Sequence, residues 1–198
     1  QPQKAKAPHI EPRAVQVLKH MTEYLQGLQQ FSVQAEITED VLLDSGLTIQ
    51  DSRSVTASVR RPNRLRVDAV GALGDRQLFY DGTTMTLMDL SKHRYSTIDV
   101  PPEIDAALHH AIQAYNLRAP LADLVYAKAY DYLMKETRAG FYLGLSKVQG
   151  HLCHHLAFRQ KAIDWQIWIE DSPTPLPCKF LITDKQAKGL QFTAWLSQ

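Results

Sequence analysis

The stretch SVTASVRRPNRLRVDA, residues 54–69, decides the fold. Val55, Ala57 and Val59 alternate with Ser54, Thr56, Ser58 and Arg60. Pro62-Asn63 interrupts, and Leu65, Val67 and Ala69 resume the alternation. A period of two on both sides of a short breaker is the pattern of two half-buried strands joined by a tight turn, hence an antiparallel pair.

The pattern spreads in both directions. Upstream, Phe31, Val33, Ala35 and Ile37 alternate with polar residues, and Asp44-Ser45-Gly46 supplies a turn. Before them, Pro12 suits a first helical turn. Ala14, Leu18, Met21, Leu25 and Leu28 follow at 4-3-4-3 spacing, one apolar stripe ending near Gly27. Downstream, Gly71 and Gly74 end the third strand. Leu78 and Tyr80, then Met85 and Leu87, flank the hairpin signal Asp81-Gly82. A further strand covers Tyr95 to Ile98.

Pro101-Pro102 stops the meander. Ile104, Leu108, Ala111, Ile112 and Tyr115 sit at helical spacing, and Pro120 opens a short helix through Leu121, Leu124 and Val125. Tyr126, Tyr130, Tyr132, Leu133 and Met134 come next. Residues 101–134 are therefore a helical insert, far longer than a hairpin loop. Strands return at Phe141, Leu143 and Leu145, then at Leu152, His154, Leu156 and Phe158. Trp165, Ile167 and Ile169, then Phe180 and Ile182, and finally Phe192, Ala194 and Leu196 complete the set.

These elements predict an α+β fold, mainly antiparallel β, of about eleven strands. Twist accumulates in such a sheet and curls it into an open half-barrel. The N-terminal helix and the mid-chain insert are the pieces available to cover its concave face. A single domain over residues 1–198 is expected, with residues 1–10 as a flexible tether and 101–134 as a helical lid.

Composition narrows the function classes. The 198 residues, 44% hydrophobic and 22% charged, describe a globular chain. A formal charge of +1 without a basic tract argues against nucleic-acid binding by phosphate neutralisation. No stretch reaches the roughly 20 apolar residues of a membrane-spanning helix. The chain starts at Gln1 rather than Met, which leaves a processed N-terminus and a fragment boundary both open; no signal peptide is present in it.

Catalytic signatures are missing. The sequence has no Gly-x-Ser-x-Gly elbow, no P-loop and no Gly-x-Gly-x-x-Gly fingerprint. His151, Cys153 and His155 share one strand face, but steps of about 6.6 Å between alternate residues are stretched for one metal ion. No second cluster completes such a site, so no metal, no cofactor, no catalytic residue and no enzymatic activity are expected. Cys153 and Cys178 pair only if their strands adjoin on a common face; an intervening strand would separate them. The remaining concentration is apolar: Tyr115, Tyr126, Tyr130, Tyr132, Leu133 and Met134 in the insert, either capping a core or lining a ligand site.

Two motifs carry a resemblance. Val59-Arg60-Arg61-Pro62-Asn63-Arg64-Leu65, followed by Tyr80-Asp81-Gly82-Thr83-Thr84-Met85, resembles the periplasmic lipoprotein carriers of the LolA/LolB type. The N-terminal helix and the insert near Pro120-Leu121 fall in matching order. The runs His155 to Gln160 and Asp164 to Glu170 look, more closely, like a family of predicted periplasmic proteins with the same carrier-like fold. The resemblance implies a half-open barrel with a hydrophobic cavity, a periplasmic location and no catalysis. Arg61 stands where the carriers place an arginine that latches the lid.

The expected function is carriage or sensing of an acyl chain, a lipid or a lipidated protein. The expected lining is Leu65, Val67, Leu78, Tyr80, Met85, Leu87, Leu156, Phe158, Trp165 and Ile167, covered by Tyr115, Leu121, Leu124, Tyr126 and Tyr130. The alternative is a protein-interaction or regulatory module of the envelope with a filled core and no lipid ligand. The expected partners are a hydrophobic ligand and, in the alternative, an envelope protein; a monomer is expected.

Overall fold

A computed structural model describes residues 9–197. Helix α1 (Pro12–Gly27) leads into β1 (Gln30–Leu42), β2 (Thr48–Arg60), β3 (Arg64–Gly71), β4 (Arg76–Tyr80), β5 (Thr84–Asp89) and β6 (Arg94–Asp99). The insert holds α2 (Ile104–Tyr115), α3 (Ala122–Val125) and α4 (Ala129–Met134). The chain ends with β7 (Ala139–Val148), β8 (His151–Arg159), β9 (Ile163–Glu170), β10 (Pro177–Asp184) and β11 (Leu190–Ser197). The eleven strands form one antiparallel sheet in the order β6-β5-β4-β3-β2-β1-β11-β10-β9-β8-β7.

That order is two meanders joined where β1 pairs with β11, with Ala35 opposite Leu196 and Ile37 opposite Ala194. The two edges, β6 and β7, are consecutive in sequence. The insert that connects them spans the opening of the curved sheet, so its position follows from connectivity. Asp81 shapes the β4–β5 hairpin: its carboxylate accepts the N–H groups of Thr83 and Thr84 at 2.9 and 2.8 Å. These bonds hold the carboxyl well below the usual carboxylate range.

Several boundaries and faces differ from the sequence reading. Strands β1 and β2 run on to Leu42 and back to Thr48, with polar residues on both faces near their tips. The short helix expected to open at Pro120 begins at Ala122, and residues 129–134 are a further helix. In β7 the apolar residues Phe141, Leu143 and Leu145 are exposed, while Gly140 is buried. The reason is local. A Cβ on Gly140 would lie 2.8 Å from the Phe158 ring, so only glycine fits there. Gly144, at φ +94, then shifts the register between Tyr142 and Leu145. Residues 1–8 of the expected tether lie outside the described residues. His9 and Ile10, also assigned to it, pair with Gly140 of β7.

Two cores occupy the concave face. Under α1, Leu18, Met21 and Leu25 pack on Leu156, Phe158, Trp165, Ile167, Phe180 and Phe192. Under α2, Ile104, Ala107, Leu108 and Ala111 pack on Val59, Leu65, Leu78, Tyr80 and Met85.

Candidate functional site

Between the two cores the sheet leaves a groove of about 920 Å³, at the upper end of the range of small-molecule sites. Its floor is set by strand alternation. Val33, Ala35 and Ile37 of β1, Val55 and Ala57 of β2, and Val67 and Ala69 of β3 all point into it. One flank is the end of α1, with Tyr24, Leu25 and Leu28. The other is α2 and the α2–α3 loop, with Leu108, Ala111 and Leu117.

The groove changes character along its length. Toward the hairpin tips its floor carries Glu39, Asp51, Arg53 and Arg76. Arg53 donates to Glu39 at 2.8 Å and to Asp51 at 3.1 Å. A Cβ on the adjoining Gly71 would sit 2.7 Å from Arg53 Cβ, so glycine there leaves Arg53 its place on the floor. From above, Arg118 of the α2–α3 loop pairs with Glu39. The exposed side chains of Leu47, Val70 and Leu73 lie in the turns or strand end at the same end.

The insert is tied down at several points. Arg61 donates from Nε to Leu28 O at 3.2 Å and from Nη2 to Tyr126 O at 3.4 Å, with its guanidinium over the Phe31 ring. Burial lowers the Arg61 pKa and the nearby Asp105 opposes that shift. Asp105 itself accepts the N–H groups of Ala127 and Lys128 at 2.8 and 3.1 Å. Ile104 N donates to Pro62 O at 3.0 Å, and the Tyr80 hydroxyl donates to Pro101 O at 2.8 Å. Arg64, the neighbouring arginine, contacts Asn63 O and Asp81 O instead of the insert.

The structure sorts the expected lining residues into two groups. Leu65, Val67, Leu78, Met85, Leu87, Tyr115, Leu121 and Leu124 border the groove. Leu156, Phe158, Trp165 and Ile167 do not, because α1 fills the space above them. Tyr80 and Tyr126 are buried in the core under α2, and Tyr130 lies against the α1 core beneath Lys19. Several of the missed floor residues share a signal: a small side chain on the inward face of each strand, Ala35 on β1, Ala57 on β2 and Ala69 on β3.

A second, smaller cavity of about 230 Å³ adjoins Asp123, Leu133, Gln160 and Trp165. Burial pushes the Asp123 carboxyl up. Among the described residues Trp165 Nε1 has no hydrogen-bond partner. The histidine-rich strand does not converge. His151 meets Glu170, Cys153 meets Cys178, and His155 stacks on Trp168.

The sequence profile of the family described as Predicted periplasmic protein (DUF2092) matches residues 14–198. Among solved structures, the chain is similar to the Mycobacterium tuberculosis lipoprotein LppX, at 11% identity and a TM-score of 0.59, over 94% of each chain. It is also similar to LprF from Mycobacterium bovis, at 15% identity and a TM-score of 0.57, over 97% of this chain and 94% of that one. A LolA superfamily protein from Nitrosomonas europaea aligns over 93% and 91% at 11% identity, with a TM-score of 0.42. No curated protein matches the chain. At these identities the first two likenesses establish the fold, a curved open antiparallel sheet carrying helices.

Proposed function

This chain belongs to the DUF2092 family of predicted periplasmic proteins, and from that premise we propose that it is a non-enzymatic periplasmic binding protein that carries or senses a hydrophobic ligand in its groove. The ligand class is an acyl chain, a lipid or a lipidated protein. The observation that carries this reading is the groove of about 920 Å³ with its floor of small apolar side chains.

Each CH₂ moved from water into such a site contributes about 0.8 kcal/mol, so affinity needs no polar contact along most of the groove. The charged end adds direction. Apolar chain lies over Val55, Ala57 and Val67, and the polar end of an amphiphile lies near Arg53 and Glu39. The insert is the lid, Arg61 latches it through Tyr126 O, and Arg118 straps it to Glu39.

The test is native mass spectrometry of protein purified without detergent. Adducts of lipid mass, lost after solvent extraction, are expected. Consistently bare protein, with no lipid in the extract, refutes the reading and favours an interaction module.

A further inference from the structure

Cys153 and Cys178 lie outside the groove, and nothing in the binding reading uses them. Cys153 is the third residue of β8. Alternation turns it away from the concave core, to the side that carries His155. Cys178 is the second residue of β10, and β9 runs between these strands. Ordinary register would keep the two side chains a full strand apart.

A bulge removes that separation. Pro177 pairs with Ile169 and Lys179 pairs with Trp168, so Cys178 is an extra residue without a partner on β9. An extra residue is released from alternation and bends its strand. It sits beside Ile169 and Trp168, next to the end of β9, where Glu170 pairs with Cys153. The two sulfurs are 2.7 Å apart. Val148 packs with them, and Trp168 and Trp195 lie against this small cluster.

We propose that Cys153 and Cys178 form an intramolecular disulfide in the periplasm, stapling β8 to β10 across the end of β9. Disulfides persist in that compartment, and surviving there as two thiols would require isolation from oxidant throughout folding. The reaction is thiol–disulfide exchange with a disulfide donor, either a periplasmic thiol oxidase or a small-molecule disulfide. One cysteine thiolate attacks the donor, forms a mixed disulfide and expels one donor thiol. The second cysteine, losing its proton, attacks the first cysteine's sulfur and expels the other donor thiol. Two cysteine thiols are oxidised and one donor disulfide is reduced. Once folded, both sulfurs are buried, and burial raises both thiol pKa values. Exchange therefore belongs to the chain before this cluster closes.

The experiment uses the chain exported to the periplasm and purified without reductant. It is unfolded in guanidinium with excess iodoacetamide and weighed intact. No alkylation is expected before reduction and two alkylations after it. A non-reducing digest should yield one peptide linking Cys153 to Cys178. The closed loop spans 25 residues, so reduction should lower Tm by roughly 6–12 °C. The double variant Cys153→Ala, Cys178→Ala should have a Tm indifferent to reductant. Two alkylated cysteines before reduction, or a bond joining two chains, overturns the proposal. The thiol count does not depend on lipid binding, so its failure and that of the groove reading are distinguishable.

Discussion

Strands β7–β11 and strands β1–β6 share the same alternation of apolar and polar residues, yet one half leaves a cavity of only about 230 Å³ and the other a groove of about 920 Å³. The difference is side-chain volume. The half under α1 turns Phe158, Trp165, Phe180 and Phe192 inward, and rings stack there, Phe158 on Trp165 with centroids 4.2 Å apart. The floor between the cores turns Val33, Ala35, Val55, Ala57, Val67 and Ala69 inward. Protein interiors pack densely when the side chains are large enough to meet. Small residues on a curved floor, beneath helices held apart by their own packing, leave volume unfilled.

Three measurements break or sharpen that contrast, in descending order of effect. Trp165 is 1% exposed, so Trp165→Ala should cost about 3–5 kcal/mol of unfolding free energy. Val67 faces open groove, and Val67→Ala should cost about 1 kcal/mol or less. Urea denaturation of the two variants reads both values; equal costs would mean that the halves are packed alike.

Hydrogen exchange compares motion. The insert, with its short helices and exposed loop, should exchange faster than the strands around Phe158 and Trp165. Saturation with a fatty acid should slow the insert by roughly tenfold, an ordering of about 1.4 kcal/mol, and leave the strands unchanged. Uniform protection, indifferent to lipid, rules out a mobile cover.

The smallest effects concern release. Dissociation of a fluorescent fatty acid should quicken about three- to tenfold in Arg61→Leu, which loses charged hydrogen bonds to Leu28 O and Tyr126 O. Arg118→Ala should quicken it by about fivefold or less, and less again in high salt, because that side chain is 80% exposed. Arg64→Leu should match the wild type. Off-rates equal in all four proteins remove both contacts from the release step, and a change confined to Arg64→Leu moves the latch there.

Much of this architecture is legible in the chain. Alternation in SVTASVRRPNRLRVDA marked a strand pair, the Ala14–Leu28 stripe marked α1, and the helical spacing from Ile104 marked α2. Each is a local signal, since an element's own period records which of its faces is buried. The candidate site was half legible. Leu65, Val67, Leu78, Met85 and Leu87 alternate along their strands and border the groove. Leu156, Phe158, Trp165 and Ile167 alternate just as cleanly, and periodicity does not distinguish a wall from a plug. Size was the neglected cue: Ala35, Ala57 and Ala69 mark the floor.

By itself the sequence determined the strands, helices α1 and α2, the hairpin turns and the order that resembles a periplasmic carrier. Only the tertiary structure decided that β1 meets β11, that α1 fills one half, and that Arg118 reaches Glu39. It alone showed that a bulge at Cys178 turns that residue toward Cys153. These facts depend on register and volume matched between residues far apart in the chain. A one-residue slip in register sends a side chain to the opposite face, and no period within either strand records that match.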